Sequence, residues 1–232
     1  MRVFASIRPP DAVLHHLAGA LEAVRLGTAG SIDGAPSPVR WSPVENWHIT
    51  LAFYGESPDG ALHELEDGLG AVAAAQPPFD LRLRGAGVFA HRTLWVGLGL
   101  DADAAVRLCV GAQEVGAAVL GRAEDRERAR PHLTVGRVAQ EVRADRTRRR
   151  RAGRGTAGTD GPGRPGRGGT DPLAGAVRAL GVYEGPAWHV EEVLLVRSEL
   201  GRGRGGSALH TDLARLPLAR PDRRGAVPSW PS

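Results

Sequence analysis

Trp47-His48-Ile49-Thr50-Leu51-Ala52-Phe53-Tyr54 decides the fold, because the chain repeats its central pattern in Pro131-His132-Leu133-Thr134-Val135-Gly136-Arg137. Both contain His-aliphatic-Thr-aliphatic. With eight His, nine Thr and about a fifth of positions Leu, Ile or Val, chance supplies roughly 0.01 such tetrads, so two of them mark an internal repeat. On a strand, residues i and i+2 share a face about 6–7 Å apart, and the residues between them face the other way. Each tetrad therefore shows one imidazole and one hydroxyl to one side and anchors itself with Ile49 and Leu51, or with Leu133 and Val135, on the other.

Outward from these two strands, the pattern alternates between strand and helix. Arg2 to Ile7 reads as a strand, and Asp11 caps a helix to about Leu26 with Val13, Leu14, Leu17, Leu21 and Val24 on one side. Val39 to Trp41 and His48 to Tyr54 are strands. The turn Ser57-Pro58-Asp59-Gly60 leads into a helix carrying Leu62, Leu65, Leu69 and Val72. Further strands are expected at Phe79–Leu83, Leu94–Leu100, His132–Val138, Val190–Arg197 and Leu209–Leu216, with helices at Asp101–Leu120 and Asp171–Leu180. The class is α/β (α+β). The repeat makes it one domain over 1–218, of two pseudo-twofold lobes, each a mainly antiparallel sheet backed by helices, with a central cleft.

Composition narrows the chemistry. All 30 basic residues among the 232 are arginine, which excludes a catalytic lysine, a Schiff base, a lysine-bearing phosphate loop and a lysine-adenylating ligase. The lone Cys109 builds neither a disulfide framework nor a cysteine-rich metal site. The net charge is +4, but residues 143–170 hold nine Arg against Asp145 and Asp160, a local +7 that leaves the rest of the chain at −3. With eight Gly and no apolar side chain larger than Ala, 143–170 is expected to be a disordered Arg/Gly-rich insertion, a spacer or an arm that attracts RNA. Residues 219–232 are expected to be a flexible tail. No apolar run approaches a membrane span and no secretory pattern opens the chain, so a cytoplasmic protein, monomeric and without a membrane partner, is expected.

Two imidazoles and two hydroxyls around one small group suit in-line displacement at phosphorus: one neutral imidazole takes a proton, one protonated imidazole gives one, and the hydroxyls donate to non-bridging oxygens. Strand histidines satisfied by neighbours are the plain alternative. A two-histidine metal site is another, although neither tetrad has a carboxylate beside it and hydrolytic zinc usually takes three protein ligands.

The surrounding residues carry a resemblance. Val39-Arg40-Trp41 with Glu45 to Glu56, Arg130 to Arg137, Arg197-Ser198-Glu199-Leu200-Gly201 and Leu213 to Leu218 resemble, in order, the RNA 2′,3′-cyclic phosphodiesterases of the 2H phosphoesterase superfamily, also called 2′-5′ RNA ligases. The resemblance implies metal-independent hydrolysis of RNA 2′,3′-cyclic phosphate ends, tRNA fragments among them, to a 2′-phosphate, with no cofactor. It makes His48 the proton donor and His132 the proton acceptor, and gives Thr50 and Thr134 to the substrate phosphate; Arg130, two residues before His132 and on its face if the strand extends that far, is either a further contact to that phosphate or a surface arginine. Joining of cyclic-phosphate and 5′-hydroxyl ends is the reverse of the same chemistry, and a non-catalytic RNA-binding module is the rival from another class. The chain departs from the family at His210, where Tyr is common, at Ala52, where several members carry Lys, and in the insertion.

Other residues weigh less. Trp41, Trp47, Phe53, Trp95 and Trp188 are core residues or platforms for a base. Arg197 and Ser198 end a strand. His15, His16, His63, His91 and His189 follow no pattern, and the glycines from Gly201 to Gly206 read as a hairpin loop because no helix follows them.

Overall fold

The computed structural model describes residues 1–29, 39–121, 130–139 and 173–219. The expected insertion at 143–170 and the tail beyond residue 219 lie outside the described residues. Among the described residues nine strands appear in chain order: β1 (Arg2–Ile7), β2 (Val39–Trp41), β3 (Ile49–Glu56), β4 (Phe79–Phe89), β5 (Thr93–Leu100), β6 (Leu133–Val138), β7 (Glu184–Val190), β8 (Glu192–Glu199) and β9 (Leu209–Pro217). Four helices accompany them among the same described residues: α1 (Asp11–Ala29), α2 (Leu62–Ala74), α3 (Ala102–Leu120) and α4 (Ala174–Leu180). The fold is α+β.

All strand pairings are antiparallel, in the order β7-β4-β5-β6-β3-β1-β8-β9, with β2 added to β6. The expected sheet in each lobe is instead one half of a single sheet, β3-β1-β8-β9 on one side and β6-β5-β4-β7 on the other. The halves meet at one residue pair, Ile49 opposite Leu133, the central aliphatic residues of the two tetrads. Both are fully buried. Strand alternation then turns His48, Thr50, His132 and Thr134 to the opposite face, and the antiparallel register sets each histidine beside the threonine of the other tetrad.

The helices cover the face to which Ile49 and Leu133 point. Helices α2 and α3 pack on each other and on β3, β8 and β9, whereas α1 and α4 pack on each other and on β7 and β4. Two glycines bring α2 and α3 close: a Cβ on Gly68 would stand 2.7 Å from a Val115 methyl, and one on Gly111 would stand 2.7 Å from a Val72 methyl. The core joins Leu17 and Leu21 of α1, Leu65 and Leu69 of α2, Leu108 of α3 and Leu180 of α4 to the inward residues of the sheet.

Candidate active site

A cavity of about 690 Å³ opens on the other face of the sheet, between the two halves. Its walls come from β1, β3 and the β8–β9 hairpin on one side and from β2 and β6 on the other. His48, Thr50 and Thr134 all line it. His132 stands two residues before Thr134 on the same strand face, close enough for its charge to lower the proton affinity of His48.

The two imidazoles are held alike. His48 Nδ1 lies 2.8 Å from the carbonyl oxygen of Asn46, and His132 Nδ1 lies 2.6 Å from that of Arg130. A carbonyl only accepts, so each Nδ1 carries the proton of its hydrogen bond and each Nε2 is the acceptor of the neutral ring. The carbonyl sits two residues upstream in both cases. For His48 it belongs to a single 3-10 turn, Val44–Asn46, tied down by Asn46 Nδ2 donating to the Ala208 carbonyl at 2.9 Å and by buried Trp47, whose indole donates to the Ser42 carbonyl at 3.1 Å.

Their surroundings differ. The His48 ring stacks on Phe4 (centroids 4.6 Å apart, planes at 28°) and meets His210 edge to face at 5.2 Å. Burial, above all, together with the positive charges of His210, Arg8 and His132, holds the His48 imidazole down to about 4, against the opposing pull of its hydrogen bond to Asn46. His210 is lowered too, by burial and by Arg8, with Asp212 pulling the other way. Arg8 itself is held by both carboxylate oxygens of Asp212, at 3.1 and 3.3 Å. His132 instead packs against Phe89 at 4.8 Å and Trp95 at 6.2 Å and is half-exposed.

Among the described residues the wall holds Arg2, Arg40 and Arg137 and no Asp or Glu, a charge balance that favours an anion. Arg130 has its side chain exposed and outside the wall, and it serves the site through its carbonyl. Among the aromatics, Trp41 and Phe53 reach the cavity while Trp47 and Trp188 are core. Gly201, Gly206, Ser207 and Ala208 of the expected hairpin form its rim, and Ser198 its floor. Phe4, His210 and the three wall arginines were not singled out by the tetrad pattern; they reach the cavity through neighbouring strands that only the sheet order brings together. Among the described residues no group of three or more His, Cys, Asp or Glu is placed to hold a metal ion, and no helix is long and apolar enough to cross a membrane.

Residues 28–95, which include the first tetrad, match the family described as LigT like Phosphoesterase. Over 94% of its length and 98% of the other chain, the fold superposes on E. coli LigT in apo form with a TM-score of 0.60 at 21% identity. The chain is similar to LigT in sequence over residues 28–95 and in fold over most of its length. Two curated relatives carry the name RNA 2′,3′-cyclic phosphodiesterase. The one from Geobacillus stearothermophilus is 37% identical over 101 residues, 42% of this chain and 32% of the relative. The one from Methanothermobacter thermautotrophicus is 30% identical over 112 residues, 47% of this chain and 59% of the relative. The match to this LigT-like chain thus spans less than two thirds of either relative.

Proposed function

We propose that the cavity hydrolyses 2′,3′-cyclic phosphate ends of RNA to a 2′-phosphate, with His48 and His132 as the acid/base pair and Thr50 and Thr134 donating hydrogen bonds to the non-bridging oxygens. The names of the relatives agree with this reading. The observation that carries it is the matched pair of His-x-Thr rows, crossed so that each imidazole stands beside the other row's hydroxyl, with both Nδ1 atoms bonded to the carbonyl two residues back. The two halves are then pseudo-twofold lobes, and the scissile phosphate lies on the axis between them. No atom of a cofactor enters the scheme: water adds to phosphorus, the bond to the 3′-oxygen breaks, one imidazole takes the proton of the water and the other protonates the departing oxygen.

The roles have two readings. The resemblance makes His48 the donor, which requires the bound phosphate anion to raise its proton affinity. The burial of His48 favours the reverse, with His48 neutral and ready to accept while His132 donates. The pH dependence of kcat/KM separates them, because it reports the free enzyme. A His48 base keeps kcat/KM up until the pH falls well below the ordinary histidine range, whereas a His48 donor makes it fall as pH rises above about 4. A substrate with sulfur in place of the 3′-bridging oxygen, whose leaving group needs no proton, rescues the alanine variant of whichever histidine is the donor.

An end-labelled RNA carrying the cyclic phosphate is the direct test. His48→Ala and His132→Ala each lower hydrolysis by about 10²- to 10⁴-fold with the fold intact by circular dichroism. Wild-type turnover in either variant rejects the site, and RNA binding without hydrolysis by the wild type leaves a binding module.

A further inference from the structure

A third imidazole stands in the cavity wall. His210, the second residue of β9, is opposite Ser198 of β8, and both line the cavity with His48 and Thr50. Its ring meets His48 at 5.2 Å and Phe4 at 5.1 Å, edge to face in both cases. His48 and His132 each have Nδ1 bonded to a carbonyl, whereas His210 has no hydrogen bond or ion pair at either nitrogen among the described residues. Both nitrogens of this half-buried ring are unspent, in a wall that among the described residues has no Asp or Glu.

The charges around His210 let a proton arrive with an anion rather than before it. Asp212 lies on the same face of β9, and its two oxygens are taken by Arg8, at 3.1 and 3.3 Å, and by Arg215, at 2.9 Å. Asp212 pairs with Val196 and Ala214 with Leu195, so Leu213 is an extra residue, and this bulge brings Arg215 round to Asp212. A carboxylate so engaged favours an imidazolium through its field without bonding to it. Arg8 opposes that field, and burial, the largest cause, holds the His210 imidazole below the ordinary histidine range. The other groups that face it, Phe4, His48 and Ser198, carry no negative charge. An entering anion supplies the charge that is missing. Hydrogen bonds of about 2.8–3.0 Å allow one phosphate group to bridge two rings whose centres are 5.2 Å apart.

We propose that His210 binds the substrate phosphate as an imidazolium, taking one proton from solvent as the anion enters. The affinity of the cavity for phosphate groups then rises as pH falls. The charge on His210 also acts on His48, whose proton affinity it lowers, and keeps that more deeply buried ring neutral; the arriving proton stays on the ring that has Asp212 beside it. This rests on the proposed function for the identity of the anion, but not for the proton.

The test uses the full chain, with His210→Gln and His210→Tyr as variants and sulfate as the probe. Sulfate keeps its charge throughout the range in which histidine titrates, unlike a phosphate monoester, whose second proton leaves near pH ~6. The Cε1 proton resonance of His210, assigned by its loss in either variant, is followed against pH with sulfate and with chloride at equal ionic strength. Sulfate raises the proton affinity of His210 about tenfold or more; an unmoved titration overturns the proposal. This readout needs no turnover, so it stands even if the wild type hydrolyses no cyclic phosphate, and a folding failure in one variant leaves the assignment to the other. With a cyclic-phosphate RNA end as substrate, KM in His210→Gln exceeds the wild-type value about tenfold near pH 5.5 and less than threefold near pH 8.5, where the wild-type ring has lost its charge. A ratio equal at the two pH values shows a neutral contact or a packing role and overturns the proposal. His210→Tyr offers a donor that gains no charge, so its KM falls less steeply toward acid pH; a fall as steep as that of the wild type assigns the proton to another group and likewise overturns it.

Discussion

At His48 the packing that shapes the site also sets a pH limit on the fold. The folded imidazole titrates near 4 rather than near 6.5, so between those values the unfolded chain takes a proton that the folded chain refuses. The contribution is complete above pH 6.5 and is lost as pH falls through 4, a span of about 3 kcal/mol. Denaturant melts at pH 7 and pH 4 measure it: the drop between them shrinks by about that amount in His48→Gln, and an equal drop in both proteins would show that Phe4 and His210 do not desolvate the ring as their packing implies. His210 acts in the same direction, its own proton affinity being lowered. The tetrad named His48 from four letters, but its surroundings are set by Phe4, Arg8 and His210, which come from β1, the residue after it and β9, at least 40 residues away on one side and more than 150 on the other, and share no local pattern with it.

Elements were legible where a period was present. Helices α2 and α3 and strands β1 and β3 stand within a residue or two of their expected bounds, because their apolar residues recur at helical or strand spacing. Two departures have physical causes. Strand β7, Glu-Gly-Pro-Ala-Trp-His-Val, is not among the strands expected from the sequence, since Gly185 and Pro186 interrupt any apolar alternation; among the described residues it is an edge strand paired only with β4, where a proline costs little. Strand β4 runs on to Phe89, past the expected end at Leu83, through Gly85 at φ +62° and Gly87. Gly87 is opposite Trp95, whose ring lies so near that a Cβ would stand 2.3 Å from it. Gly87→Ala therefore pushes the indole off β4 and, with it, the Phe89 ring stacked on Trp95 and the His132 ring packed against both. Such overpacking costs about 1–3 kcal/mol of stability. The expected signature in a urea melt and an activity assay is a stable variant with impaired turnover; wild-type turnover would mean that the aromatic pair does not position His132.

The molecule is joined more deeply than its two-halved sheet implies. Helix α1 follows β1 yet packs on β7 and α4 across the sheet, and α3 follows β5 yet packs on β3 and α2. Strand β1 is itself paired on one side with β3 and on the other with β8, so Val3 is opposite Arg197. Residues 1–142 contain both tetrads, but without β7, β8 and β9 they leave β1 with a bare edge and α1 without the strand it packs on. Expressed alone, this piece is expected to show no cooperative thermal transition by near-ultraviolet circular dichroism, and a sharp transition would mean that the tetrad strands nucleate a fold by themselves. The same wiring bears on synthesis. The partner for the second edge of β1 leaves the ribosome some 190 residues after β1 does, which at 5–20 residues per second is roughly 10–40 s. During that interval Val3-Phe4-Ala5-Ser6-Ile7 offers unpaired backbone to any strand nearby. The hazard of aggregation is concentrated in the growing chain, before the finished sheet has closed over it.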